Sequence, residues 1–125
     1  MGIVNYDLVY VDDEGVLANL FCGIAKTMCP GKRIKGYTSP KLLLNDLENN
    51  RIVTSNLLLD LMMREMNGIE LAKKLRNLCG DQAKIYFYTA LPSEAVSKYS
   101  RDVEFNGVFF KGQHTPQYIL EKLIG

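Results

Sequence analysis

The chain has 125 residues and is 47% hydrophobic, which suffices for one domain with a single core and is too short for two. Its 15 basic and 14 acidic residues give a formal net charge of +1, so it has no general electrostatic attraction to nucleic acid or to anionic lipid. No apolar run approaches the length of a membrane span, and the three cysteines lack paired metal-ligand spacing. We therefore predict a soluble cytoplasmic protein with reduced thiols, in which residues 1–125 form one domain.

Short apolar runs alternate five times with segments that have helical periodicity. The predicted strands are residues 8–11, 33–37, 57–59, 85–88 and 108–110. The predicted helices are residues 16–28, 40–47, 68–78, 93–99 and 116–124. Ser39 and Thr115 are predicted N-caps because each precedes a proline at a first helical position, and Gly80 is predicted to end the third helix. The residues before Leu8 have no predicted element.

The apolar runs contain too few polar residues to have one face in water, which indicates strands that are buried on both faces. Strands of this kind that alternate with helices predict an α/β fold. Its parallel sheet carries helices on both faces, joined by right-handed crossovers. In such a sheet the carboxyl ends of all strands lie along one edge, and ligands bind there.

Polar and charged residues follow four of the predicted strands. These residues are Asp12, Asp13, Asp60, Thr89 and Lys111. Three carboxylates at one edge repel one another unless one is protonated, a lysine lies among them, or a cation binds. Oxygen ligands of this kind suit Mg²⁺, and an aspartate at such a site can attack phosphorus to form an acyl phosphate. In that reaction Lys111 would neutralise charge on the phosphoryl group.

Four motifs carry a resemblance to a known family. They are VDDE after the first strand, LLLDLMMREMNG around the third, YTA after the fourth and FFKG after the fifth. In this order and spacing they resemble the receiver domains of two-component response regulators, and the resemblance covers essentially the whole chain. It implies a (βα)5 doubly wound fold with the flavodoxin-like strand order 2-1-3-4-5.

The resemblance also implies a role for each motif residue. Asp60 would accept a phosphoryl group from a histidine kinase or a phosphotransfer protein. Asp13, Asp60 and the carbonyl of Met62 would bind Mg²⁺ directly, and Asp12 would act through water. The phosphoryl oxygens would be contacted by Thr89, Lys111 and the backbone amide of Ala90. The protein would then be a signalling switch that catalyses only its own phosphorylation and dephosphorylation, with its output through a protein-binding face.

Some positions depart from the family pattern. Gly112 stands where receivers usually have proline, Val108 where an aromatic ring is common, and Arg64 where many have a proline that stiffens the loop after the acceptor. We therefore do not expect a switch in which a ring at position 108 swings inward. We do expect the loop after Asp60 to be looser than in receivers that have the proline. His114, the one histidine, is predicted as a surface residue.

Two other functions fit parts of the pattern. A haloacid-dehalogenase-like phosphatase also uses Asp and Mg²⁺ on a parallel sheet. Its second aspartate would fall two residues after Asp12, where this chain has Glu14. A phosphorylation-independent interaction module would keep the acids without using them. Turnover of a phosphate ester would favour the first function, and partner binding without Mg²⁺ or beryllofluoride binding would favour the second.

Overall fold

The computed structural model describes residues 2–125, so Met1, the first residue of the predicted domain 1–125, lies outside the described residues. These residues form seven strands and five helices. The strands are β1 Val4–Tyr6, β2 Leu8–Val11, β3 Ile34–Tyr37, β4 Ile52–Thr54, β5 Asn56–Leu59, β6 Lys84–Thr89 and β7 Gly107–Phe110. The helices are α1 Gly15–Met28, α2 Pro40–Glu48, α3 Gly68–Cys79, α4 Ser93–Tyr99 and α5 Pro116–Ile124.

Five strands form a parallel sheet in the order β3-β2-β5-β6-β7. Numbered among the five predicted strands, this order is 2-1-3-4-5, so the predicted fold class and strand order are confirmed. Strand β2 is buried along its whole length, and β5 is buried at three of its four residues. The central position of these two strands explains their unbroken apolar runs.

The helices cover both faces of the sheet with two apolar clusters. Alternate residues along each strand point to opposite faces, as Val9 and Tyr10 do in β2. Val9 packs with the residues of α2 and α3, whereas Tyr10 packs with those of α1 and α5. The two clusters together form the core.

The predicted helix ends are largely confirmed. The side chains of Ser39 and Thr115 accept hydrogen bonds from backbone amides in the first turns of α2 and α5. Gly80 follows α3 with a φ of 76°, in the left-handed region that favours glycine. Asn67 was not predicted as a cap, yet its side chain accepts from the amide of Glu70 at the start of α3.

A second, two-stranded sheet was not predicted. Strands β1 and β4 pair in parallel, with Val4 opposite Ile52. The register is the same as that of β2 and β5. Asp7 separates β1 from β2, and Ser55 separates β4 from β5 at the same level of the ladder. These short strands therefore extend the two central strands beyond the amino ends of their neighbours. Sequence periodicity missed them because each has only three residues.

Two expectations from composition can be compared with the structure. Cys22, Cys29 and Cys79 are free and partly buried. Burial raises the pKa of the Cys22 and Cys79 thiols above the ordinary value, so both are protonated near neutral pH. Among the described residues, no helix combines the length and apolar character needed to cross a membrane.

Candidate functional site

The carboxyl ends of β2 and β5 bring three aspartates together. Asp12 and Asp13 follow β2, and Asp60 follows β5. One carboxylate oxygen from each residue lies within 4.8 Å of those of the other two. Asp12 is fully buried and Asp60 is 6% exposed. The predicted meeting of these three side chains is thus observed.

Lys111 follows β7 and places its ammonium group against two of the carboxylates. Its Nζ lies 2.9 Å from Oδ2 of Asp12 and 3.5 Å from Oδ2 of Asp60. Burial alone would lower the pKa of Lys111, but the hydrogen bond to Asp12 and the charge of Asp60 outweigh it and raise this pKa. The lysine therefore stays charged and offsets part of the negative charge of the cluster.

Asp60 holds its proton more tightly than an ordinary aspartate. Its burial raises the pKa of the carboxyl group, the charge of Lys111 opposes this, and the charge of Asp12 adds to it, for a value of about 6. The Oδ1 atom accepts a hydrogen bond of 3.3 Å from the amide of Met62. Asp60 is accordingly ionised for the most part at neutral pH, with a carboxylate that is more basic than usual.

Tyr10 belongs to this site and was missed by the sequence analysis. Its hydroxyl donates to Oδ2 of Asp12 at 2.6 Å, and the amide of Glu14 donates to Oδ1 at 3.0 Å. Burial and the hydrogen bond to Asp12 raise the pKa of Tyr10 far above its ordinary value, so its hydroxyl remains a donor. The available signal was strand alternation, which puts Tyr10 and Asp12 on the same face of the sheet.

Arg64 ties the loop after Asp60 to Asp13. Its backbone amide donates to Oδ2 of Asp13 at 2.9 Å, and its Nε lies 3.5 Å from the same oxygen. A proline at this position would lack the amide proton. The expected loosening of the loop is therefore countered by a contact that the usual proline does not allow.

Gly68 begins α3 directly against the backbone of Asp60. A Cβ atom at this position would lie 2.4 Å from the carbonyl oxygen of Asp60 and 2.9 Å from Cα of Leu61. The amide of Gly68 also donates to the carbonyl of Leu61 at 2.9 Å. Glycine is required here by close packing, and the backbone position of Asp60 depends on it.

Thr89 and Ala90 lie at the end of β6. Thr89 is fully buried, and its hydroxyl oxygen accepts from the amide of Leu91 at 3.1 Å. Its carbonyl accepts from the amide of Lys111 at 2.7 Å, which links the ends of β6 and β7. Ala90 is exposed. The expected contacts of Thr89 and of the Ala90 amide with a phosphoryl group stay predictions, as does the ligand role of the Met62 carbonyl.

The loop after Lys111 has a conformation that glycine permits. Gly112 has a φ of 91°. His114, which was predicted as a surface residue, is partly buried, and its Nδ1 accepts from the amide of Phe110 at 2.9 Å. Its ring stacks on Tyr118 with a centroid distance of 5.3 Å. The histidine thus holds this loop against β7 and α5.

Several solved structures with the same fold are response regulator receiver domains. A CheY-like receiver domain protein from Methanospirillum hungatei is 21% identical, with a TM-score of 0.77 over 97% of this chain and 90% of that one. The chemotaxis protein CheY4 of Vibrio cholerae is 18% identical, with a TM-score of 0.78 over 98% and 97%. The receiver domain of DrrB, a Thermotoga maritima protein, is 15% identical, with a TM-score of 0.76 over 95% and 94%. No protein-family model and no curated protein matches the chain.

These similarities establish the fold class. The chain has the doubly wound α/β fold of CheY-like receiver domains, and the resemblance indicated by its motifs is confirmed at the level of the fold.

Proposed function

We propose that this chain is a phosphoacceptor receiver of a two-component phosphorelay in the cytoplasm. Asp60 takes a phosphoryl group from the phosphohistidine of a sensor histidine kinase or phosphotransfer protein. The observation that carries this proposal is the position of Lys111, whose Nζ lies 3.5 Å from the Asp60 carboxylate beside two further aspartates. The fold neighbours support it, since one is described as BeF3-activated and another as a structure in the presence of phosphomimetic BeF3-.

The acidic cluster fits Mg²⁺. Among the described residues, the groups gathered here are three carboxylates, and hard oxygen donors are what Mg²⁺ prefers. Asp13, Asp60 and the carbonyl of Met62 would hold the ion directly, and Asp12, whose oxygens already accept three hydrogen bonds, would act through water. When bound, the ion would neutralise negative charge on the phosphoryl oxygens.

The proposed transfer needs a nucleophile and a positive charge beside it. An oxygen of ionised Asp60 attacks phosphorus, the P–N bond to the donor histidine breaks, and its electron pair returns to the imidazole ring. The product is an acyl phosphate on Asp60. Lys111 offsets the charge of the transferring group, and Thr89 with the Ala90 amide contacts its oxygens. The domain has two conformations, and the phosphoryl group makes these contacts better in one of them than in the other. Phosphorylation therefore shifts the domain toward that conformation and alters its protein-binding surface.

Intact-mass analysis after mixing the protein with acetyl phosphate and Mg²⁺ tests this proposal. We expect one added phosphoryl group in the parent protein. It should not form when EDTA is added beforehand, and it should not form in Asp60→Asn. Asp81→Asn is the matched control, because Asp81 is exposed beyond the far end of α3. An adduct that persists in Asp60→Asn would contradict the assigned acceptor. Steady turnover of a phosphate ester would instead indicate a phosphatase, and absence of both the adduct and beryllofluoride binding would indicate a phosphorylation-independent module.

A further inference from the structure

Strand β4 has a free edge at the end of the sheet opposite Asp60. It pairs only with β1, in a parallel ladder in which the amide of Val4 donates to the carbonyl of Arg51 at 3.0 Å. In this ladder the backbone groups of Val53 face β1, so those of Ile52 and Thr54 point away from it. Within residues 2–125 these outward amides and carbonyls have no hydrogen-bond partner. Ile52 and Thr54 are only 8% and 6% exposed, so these two donors and two acceptors lie inside a groove and not on an open surface.

A groove of about 610 Å³ runs along this edge. The neighbouring strand of the main sheet, β6, begins only at Lys84, whose amide donates to the carbonyl of Ser55 at 2.8 Å. Residues 81–83, which precede this bond, form a turn and not a strand, so no strand of residues 2–125 pairs with β4 on this side, where the groove lies. The lining residues are Ile3, Asn5, Leu47, Asn50, Ile52, Val53, Thr54, Ser55, Leu78, Cys79, Gln82 and Ala83.

The groove is uncharged, although 23% of the chain is charged. Its lining combines apolar side chains with neutral amides and hydroxyls. Arg51, which adjoins β4, is drawn toward α2 by an ion pair of 3.0 Å with Asp46. Strand β4 itself consists of three β-branched residues without a charge or a proline. Charged residues and prolines are what exposed sheet edges commonly use to prevent pairing with another strand. Strand β3, at the edge of the main sheet, has such a charge in Lys35.

We propose that the groove binds an uncharged, extended peptide segment of a partner protein, which adds to β4 as a further strand. Main-chain hydrogen bonds to Ile52 and Thr54 would fix the register of the peptide against β4. Neutral side chains at alternate positions of the peptide would fill the space between Val53 and Leu78. A charged segment would lose hydration there without gaining an ion pair. The groove shares no residue with the acidic cluster, so this inference goes beyond the proposed function and stands or fails independently of it.

Amide hydrogen exchange measured by NMR tests the proposal. The probe is a pool of hexapeptides, acetylated and amidated, with Val, Ile, Thr, Asn or Gln at every position, which span about 20 Å when extended. We expect the pool to slow exchange at Ile52 and Thr54 several-fold and to leave Val53, which is already bonded to β1, nearly unchanged. Unchanged exchange at Ile52 and Thr54 would overturn the proposal. Slowing of the same amides by higher protein concentration alone would also overturn it, because a second copy would then occupy the edge.

Two pairs of variants connect the effect to the groove. Val53→Glu should abolish the slowing and Val53→Thr should keep it, since both change the same half-exposed side chain and only one adds a charge. Leu78→Glu should weaken it, whereas Leu42→Glu should not, because Leu42 is exposed on α2 and does not line the groove. Unaltered exchange in β2 and β5 shows that each variant is folded. Slowing that persists in both glutamate variants of the groove would contradict the assignment.

Discussion

The two ends of strands β2 and β5 have opposite chemistry. At their carboxyl ends the chemistry is that of charged side chains, because three aspartates lie together and a lysine forms ion pairs with two of them. At their amino ends the same strands continue into β1 and β4, where side chains are neutral and the backbone is left open.

The difference follows from what each end packs against. At the carboxyl edge the residues that follow β2, β5 and β7 meet, so the charges of Asp12, Asp60 and Lys111 interact strongly. At the amino edge only β1 and β4 continue, so no further strand of residues 2–125 pairs with β4, and neither strand contains a charged residue. Substitutions at the carboxyl edge should therefore depend on pH and on metal, and those at the amino edge should not.

The largest expected effect is on the pH dependence of stability. Because the pKa of Asp60 is raised from 3.8 to about 6, this carboxyl group stabilises the fold fully below pH 3.8, and its contribution is lost as the pH rises through about 6. In EDTA, Asp60→Asn should increase the free energy of unfolding at pH 8 by about 3 kcal/mol and change it little at pH 4. Urea unfolding at both pH values measures this. Val53→Thr at the amino edge should shift stability equally at both, and an equal shift in Asp60→Asn would refute the electrostatic explanation.

Gly68→Ala tests the packing beneath Asp60. The added Cβ would lie 2.4 Å from a backbone oxygen, which cannot move as a flexible side chain can. We expect a loss of about 2.5 kcal/mol in the free energy of unfolding together with slower phosphorylation. Gly23→Ala in α1 is the control, since nothing lies within 4 Å of its added Cβ and helix propensity favours alanine. Wild-type stability in Gly68→Ala would show that the loop adapts freely.

Tyr10→Phe tests whether the buried hydroxyl positions Asp12. Removing a donor to a buried carboxylate should cost about 2 kcal/mol and should weaken Mg²⁺ binding measured by titration calorimetry. Tyr37→Phe is matched, because it removes a similar bond of 2.6 Å to Asp46, which lies outside the cluster. Equal changes in Mg²⁺ affinity for the two variants would rule out a specific role for Tyr10.

The smallest expected effect concerns loss of the phosphoryl group. Met62 and Leu91 flank Asp60 and Thr89 with apolar side chains that do not orient an attacking water, so the phosphorylated form should be long-lived. Met62→Asn or Leu91→Glu should shorten its half-life about tenfold, as a hydrogen-bonding group there can position water. The decay of the phosphorylated mass over time measures this. Fast hydrolysis in the parent protein would contradict the prediction.

Much of the fold and part of the site were predictable because they depend on local pattern. Apolar periodicity gave the five main strands and the helices, and Ser39, Thr115 and Gly80 marked helix ends where the structure has them. The rule that parallel strands end at one edge also predicted that Asp60 and Lys111 lie together, and their charged groups are 3.5 Å apart.

Other features were decided only by tertiary structure. The bond from Tyr10 to Asp12, the amide of Arg64 on Asp13, and the ring of His114 under the loop after Lys111 all depend on the path of a loop or on one face of one strand. The pairing of β1 with β4 likewise depends on segments far apart in the chain. The amino-acid pattern determined which elements form and which residues follow them, because periodicity is local. Register and loop path join distant residues, so only the folded chain determined which atoms bond and which backbone edge stays open.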